Sequence, residues 1–261
     1  MQESAWRNGV AGHPGSRSGL KPVFPVDPMK PTIIALSLIV VASLVFALLR
    51  PGTRPVAPPQ AAAPIENLPW QIETLADGGS KVFGLVLAQS TLGEARQRFG
   101  HDMEIAVIAS PGEPGALEAY YLHFTAGVLQ GKMILVAMLD QAGVKQMRER
   151  AIKSEFMDST TRKFVLRPDD ITLAYQAPIG SITFIPDAHF DADTAVKRFG
   201  EPEVRLRSSE TREHFLYPQK GLDLMLDTQG KEVLQYIAPR QFARLRDPLV
   251  KKALQDAGRA P

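Results

Sequence analysis

Apolar and polar positions divide the chain into contrasting stretches. From Thr32 to Leu49 the text TIIALSLIVVASLVFALL holds no charge, no Gly and no Pro, and it is closed by Lys30-Pro31 and Arg50-Pro51. At about 1.5 Å per residue its eighteen residues reach roughly 27 Å, close to the hydrocarbon thickness of a bilayer. The run predicts one membrane-spanning helix over 32–50, because a lone span in lipid must satisfy its own backbone groups. After Trp70 the pattern changes. KVFGLVL, MEIAVIA, EAYYLHF and GKMILVAML, and later SITFIP, EVRLR, EHFLY, GLDLMLD and EVLQYI, alternate or run apolar over strand lengths with turn residues between them.

A strand followed by a helix occurs twice, one hundred residues apart. In the first copy Thr91 with Glu94 offers a capping box and Phe99-Gly100 a stop; in the second Asp191 offers the cap and Phe199-Gly200-Glu201-Pro202 the stop. Ala95, Arg98, Phe99 and Gly100 align with Ala195, Arg198, Phe199 and Gly200 without a gap. Between the copies, Val144, Met147, Ile152 and Phe156 recur at helical spacing, predicting a longer amphipathic helix over 141–158 behind Asp140. Residues 163–166 and 171–175 read as strands around a turn at Pro168, and the tail after Pro239 as a basic helix interrupted at Pro248.

The expected fold class is therefore α+β, with a single N-terminal transmembrane helix and an exported domain of two tandem modules, each an antiparallel sheet with a short helix. The expected boundaries are a disordered tail over 1–31, the span over 32–50, a Pro-rich linker over 51–69, modules over 70–160 and 161–247, and a C-terminal tail over 248–261.

Charge fixes the orientation expected of such a span. Arg7, Arg17, Lys21 and Lys30 precede the apolar run, whereas only Arg50 and Arg54 follow it closely, so the N-terminus is expected in the cytoplasm and the domain in the bacterial periplasm. A secretory signal beginning at Met29 and cleaved near Ala61-Ala62-Ala63 is the competing reading. The formal charge of +2 resides in the N-terminal stretch: residues 1–64 hold six basic and two acidic groups, leaving 24 against 26 in the remainder. That remainder lacks the basic footprint of a nucleic-acid binder. With no Cys, thiolate metal sites, disulfides and a lipid-modified Cys are excluded.

The strand leading into TLGEARQRFG, and the second element ending in RFGEP, resemble the repeated element of the SmpA/OmlA-like family, the small lipoprotein of outer-membrane β-barrel assembly and its relatives. Thr91, Glu94, Phe99 and Gly100 match in the first copy; Phe199, Gly200 and Pro202 match in the second. The resemblance implies a small α+β envelope module that binds other proteins or peptidoglycan-linked components and performs no catalysis.

Chemistry-bearing residues are sparse. Asp187, His189, Asp191 and Asp193 alternate ahead of the second helix and offer oxygen and imidazole donors for a divalent ion, although Asp191 equally serves as a helix cap. His101, His123, His189 and His214 are possible bases, but no G-x-S-x-G frames a nucleophile and Ser181 lies in an apolar strand. Gly78-Gly79-Ser80 and 112–115 lack the Lys-Ser/Thr of a phosphate loop. Neither catalytic residues nor a cofactor or metal is assigned. Tyr120, Tyr121, Phe215, Tyr217 and Tyr236 recur on the strands of both copies and are the candidate partner-binding set. The sequence thus reads as a membrane-anchored, non-catalytic binding or scaffold domain for an envelope protein or complex. The alternatives are a metal-dependent envelope enzyme, or a lipid or small-ligand carrier with an apolar cavity.

Overall fold

The computed structural model describes residues 66–157 and 160–257. The N-terminal tail, the run at 32–49 and the linker as far as residue 65 therefore lie outside the described residues. Two sheets are present among the described residues. The small one joins β1 (Glu73–Thr74), β2 (Ser80–Val82) and β3 (Leu85–Val86). The large one has ten strands: β4 (Glu104–Ala109), β5 (Ala116–Ala126), β6 (Leu129–Ala137), β7 (Lys153–Phe156), β8 (Arg162–Val165), β9 (Ile179–Pro186), β10 (Val204–Arg207), β11 (Arg212–Tyr217), β12 (Leu222–Asp227) and β13 (Val233–Ile237). Their spatial order is β10-β11-β12-β13-β9-β6-β5-β4-β8-β7, antiparallel at every step.

This corrects the expectation of an α+β pair of modules, each with its own sheet. β6 and β9 pair from Gly131↔Pro186 to Ala137↔Ile179, so the strands of both copies fuse into one sheet. Both strands are buried on each face, and a half-sheet ending in either would expose a long apolar edge. The core is shared as well. Phe83 of the first copy is fully buried and meets Phe184 and Tyr236 of the second edge-to-face at 5.7 and 5.5 Å. Tyr236 also donates its hydroxyl to the Pro69 carbonyl at 3.0 Å, tying β13 to the opening of the described chain.

Five α-helices accompany the sheets among the described residues: α1 (Leu92–Phe99), α2 (Gln141–Glu149), α3 (Pro168–Ala174), α4 (Ala192–Phe199) and α5 (Ala243–Ala257). None is long and apolar enough to cross a membrane, so the expected spanning helix is not among the described elements. Three local expectations also change. α2 stops at Glu149; Phe156 lies in β7, which pairs with β8, and Ile152 directly precedes that strand with its N–H bonded to the Val165 carbonyl at 2.8 Å. Residues 168–174 form a helix opened by Pro168 at its first turn and not a turn with a strand. Pro248 lies inside α5, where it offers no N–H to the Arg244 carbonyl one turn back.

The two copied helices start and stop by the same rules. Thr91 Oγ1 accepts from the Glu94 N–H and Glu94 Oε2 from the Thr91 N–H, each at 3.2 Å, while Asp191 Oδ1 accepts from the Thr194 N–H at 2.7 Å. Gly100 and Gly200 have φ of 100° and 84° with ψ near 180°, a region only glycine occupies freely. The chain leaves each helix extended and turns into β4 or β10. Phe83 and Gly84, at φ of 53° and 77°, form the two-residue turn between β2 and β3, and the Arg98 Nε–H donates to the Phe83 carbonyl at 2.9 Å.

Candidate functional site

Alternation along the strands gives the large sheet two unlike faces. The first face carries Val107, Leu117, Tyr121, Met133, Leu135, Phe184, Phe215, Leu224 and Tyr236, packed with Leu92 and Ala95 of α1, Ala195 and Phe199 of α4, and Phe83. Aromatic rings at 5.0–6.3 Å pack against one another in this interior. All five candidate binding aromatics are buried: Tyr120 is 5% exposed, Tyr121 2%, Phe215 0%, Tyr217 4% and Tyr236 1%. This corrects their assignment to a partner-facing groove. Tyr121 and Tyr217 instead do the same structural work in each copy, donating to the carbonyls of Gly100 at 3.3 Å and Gly200 at 2.9 Å. Burial pushes both phenols up to about 12.

The second face is where polar groups are buried. Asp223, Gln235 and Thr183 stand opposite one another across β12, β13 and β9, all under 9% exposed. Glu118 on β5 is fully buried, and neither carboxylate oxygen has a hydrogen-bond partner among the described residues. Burial alone pushes its carboxyl up to about 8. Part of this face is closed by α5, whose Leu245, with the preceding Phe242, packs on Leu216 and Ile237. Tyr120, Ile134, Ile185 and Val233 form a further apolar group with Met157.

Across β11 and β12 and the loop after β10, Ser208, His214 and Asp223 form a hydrogen-bonded relay. Ser208 Oγ lies 3.0 Å from His214 Nε2, and His214 Nδ1 lies 2.9 and 3.0 Å from the two Asp223 oxygens. Spacings of six and nine residues gave no sequence signal for this grouping, since it depends on strand register. The distances suit a nucleophile, base and orienting acid. Acyl transfer also needs donors aimed at a developing oxyanion, and here the Ser208 and Ser209 N–H groups both turn to the Arg212 carbonyl, at 3.0 and 3.5 Å. The relay therefore accounts for satisfied polar groups on a buried face.

The loop considered for metal binding is dispersed. Asp191 caps α4, His189 Nδ1 lies 3.2 Å from Glu232 Oε1, and Asp187 and Asp193 are exposed. Among the described residues, no three His, Asp or Glu side chains are grouped as a metal site.

Among the described residues, the sheet has two free edges, β10 and β7. In antiparallel pairs alternate residues turn their main-chain groups toward the partner strand. Ser208 N–H bonds Arg212, so Val204 and Leu206 face β11 while Arg205 and Arg207, both exposed, turn N–H and C=O outward. The Arg205 guanidinium lies over the Phe215 ring at 4.4 Å and 3.3 Å from Glu201. At the opposite edge Met157 N–H bonds Thr161 at 2.9 Å, so Lys153 and Glu155 face β8 while Ser154 and Phe156 turn outward. Every residue of β7 is exposed, Phe156 to 70%.

No family model matches the chain, and no curated protein or solved structure matches it. The likeness to the SmpA/OmlA-like element rests on the residues quoted for it.

Proposed function

We propose that this chain is an envelope protein, tethered to the inner membrane through its apolar run at 32–49, whose exported sheet recognises another envelope protein by adding an extended segment of that partner along β10. The observation that carries the reading is the free β10 edge. Its outward main-chain groups belong to two exposed arginines, which favours a partner strand bearing carboxylates. Main-chain bonds would supply affinity and the two guanidinium groups the choice of partner.

The test is a photo-crosslinking residue placed at the exposed Val204 on β10 of the full chain in intact envelopes, with the captured peptide identified by mass spectrometry. One acidic, extended stretch of a single partner is the expected product, and Arg205→Glu with Arg207→Glu should abolish its capture. Crosslinks scattered over unrelated proteins, or capture unaffected by the charge reversal, would refute the reading.

A further inference from the structure

The β7 edge is self-complementary in sequence, and we propose that two copies of this chain pair through it, β7 against β7 of the second copy, antiparallel, with Ser154 on the two-fold axis. The geometry points to this register for two reasons. Ser154 turns its N–H and C=O away from β8, so Ser154 of each copy can exchange both bonds with Ser154 of the other. The neighbouring positions then bring Lys153 of one copy directly opposite Glu155 of the second.

Lys153 and Glu155 already form an ion pair within one chain, at 2.6 Å, on exposed side chains 62% and 45% accessible. Two-fold pairing interleaves two such pairs into an alternating group of four charges. Opposite charges facing each other across strands are favourable, and like charges are not. Any register displaced by two residues places Lys or Glu opposite an uncharged residue or its own kind. The same operation sets exposed Ile152, at 63%, opposite exposed Phe156, at 70%. Edge strands are ordinarily blunted by charge of one sign or by Pro. β7 has no Pro, and its two charges attract a second copy and do not repel it.

Four residues a side make a small contact, well below a stable interface of roughly 1,600 Å², so pairing at low concentration is weak and benefits from confinement. This edge is the one opposite β10, so the inference stands apart from the partner reading above. Arg205→Glu with Arg207→Glu leaves it untouched.

The chain has no native Cys, which makes Ser154→Cys a clean reporter. A hydrogen-bonded antiparallel pair separates Cα atoms by about 5.5 Å, within disulfide reach. In the full-length protein, in membranes with a mild oxidant, Ser154→Cys should form a covalent dimer at least about ten-fold faster than Ser209→Cys on the exposed β10–β11 loop. In the Ser154→Cys chain, Lys153→Glu alone or Glu155→Lys alone should slow the reaction several-fold, and the two together should restore it. All three side chains are exposed, and circular dichroism checks that each variant folds. Equal rates at 154 and 209, or a double reversal as slow as the single ones, would overturn the proposal.

Discussion

Glu118 makes stability depend on pH in a direction opposite to that of most carboxylates. Its ordinary value is 4.5, and full burial without a partner raises it to about 8 in the folded protein. A carboxyl raised by folding holds its proton more tightly in the native state. Its contribution is complete below about 4.5 and is lost as pH rises through about 8. Between those limits each pH unit removes up to about 1.4 kcal/mol, or roughly 4 kcal/mol from pH 5 to pH 8 as an upper bound, against a total stability of about 5 to 15 kcal/mol. Glu118→Gln keeps the shape and abolishes the titration. The absolute stability of that variant is not diagnostic, since an unpaired amide also costs free energy when buried. The slope is diagnostic. Urea unfolding of the full chain in detergent, followed by far-ultraviolet circular dichroism at half-unit steps from pH 5.5 to 8.5, should show wild type losing about 2 to 4 kcal/mol relative to Glu118→Gln. Parallel curves for the two proteins would refute the reasoning, because every other titrating group cancels in the comparison.

Tyr217→Phe removes the bond to the Gly200 carbonyl and should cost about 1 kcal/mol in urea unfolding, with Tyr121→Phe similar or smaller because its bonds to Ala95 and Gly100 are longer, at 3.2 and 3.3 Å. Gly84→Ala should lower the melting temperature by several degrees, about 1 to 2 kcal/mol, since the position has φ of 77° and an added methyl would push the Arg98 guanidinium off its bond to the Phe83 carbonyl. Asp191→Ala should cost about 1 kcal/mol through loss of the α4 cap, whereas Asp191→Asn should recover most of it, a contrast that metal binding would not produce.

The sequence alone determined the features written in local spacing. The caps at Thr91 with Glu94 and at Asp191, the two glycine stops and most strand segments follow from residues within four positions of each other, where hydrogen-bond reach and side-chain period act directly. The expected helix over 152–157 shows the limit. Helical spacing of Ile152 and Phe156 was outweighed by a ladder with β8, a partner brought in from beyond the turn.

Tertiary structure decided what the strands join. Whether two copied units keep separate sheets or share one depends on the β6–β9 pairing, and its trace in the sequence is the apolar run Met133 to Ala137 in β6, buried on both faces where it meets β9. The aromatic residues likewise gave their identity but not their direction. Only the packed fold turned Tyr121 and Tyr217 onto helix ends, and Phe83 and Tyr236 into a common core. The buried Glu118, the Ser208–His214–Asp223 relay and the two open edges are products of register, which shifts whole rows of side chains at once and which no short window of sequence encodes.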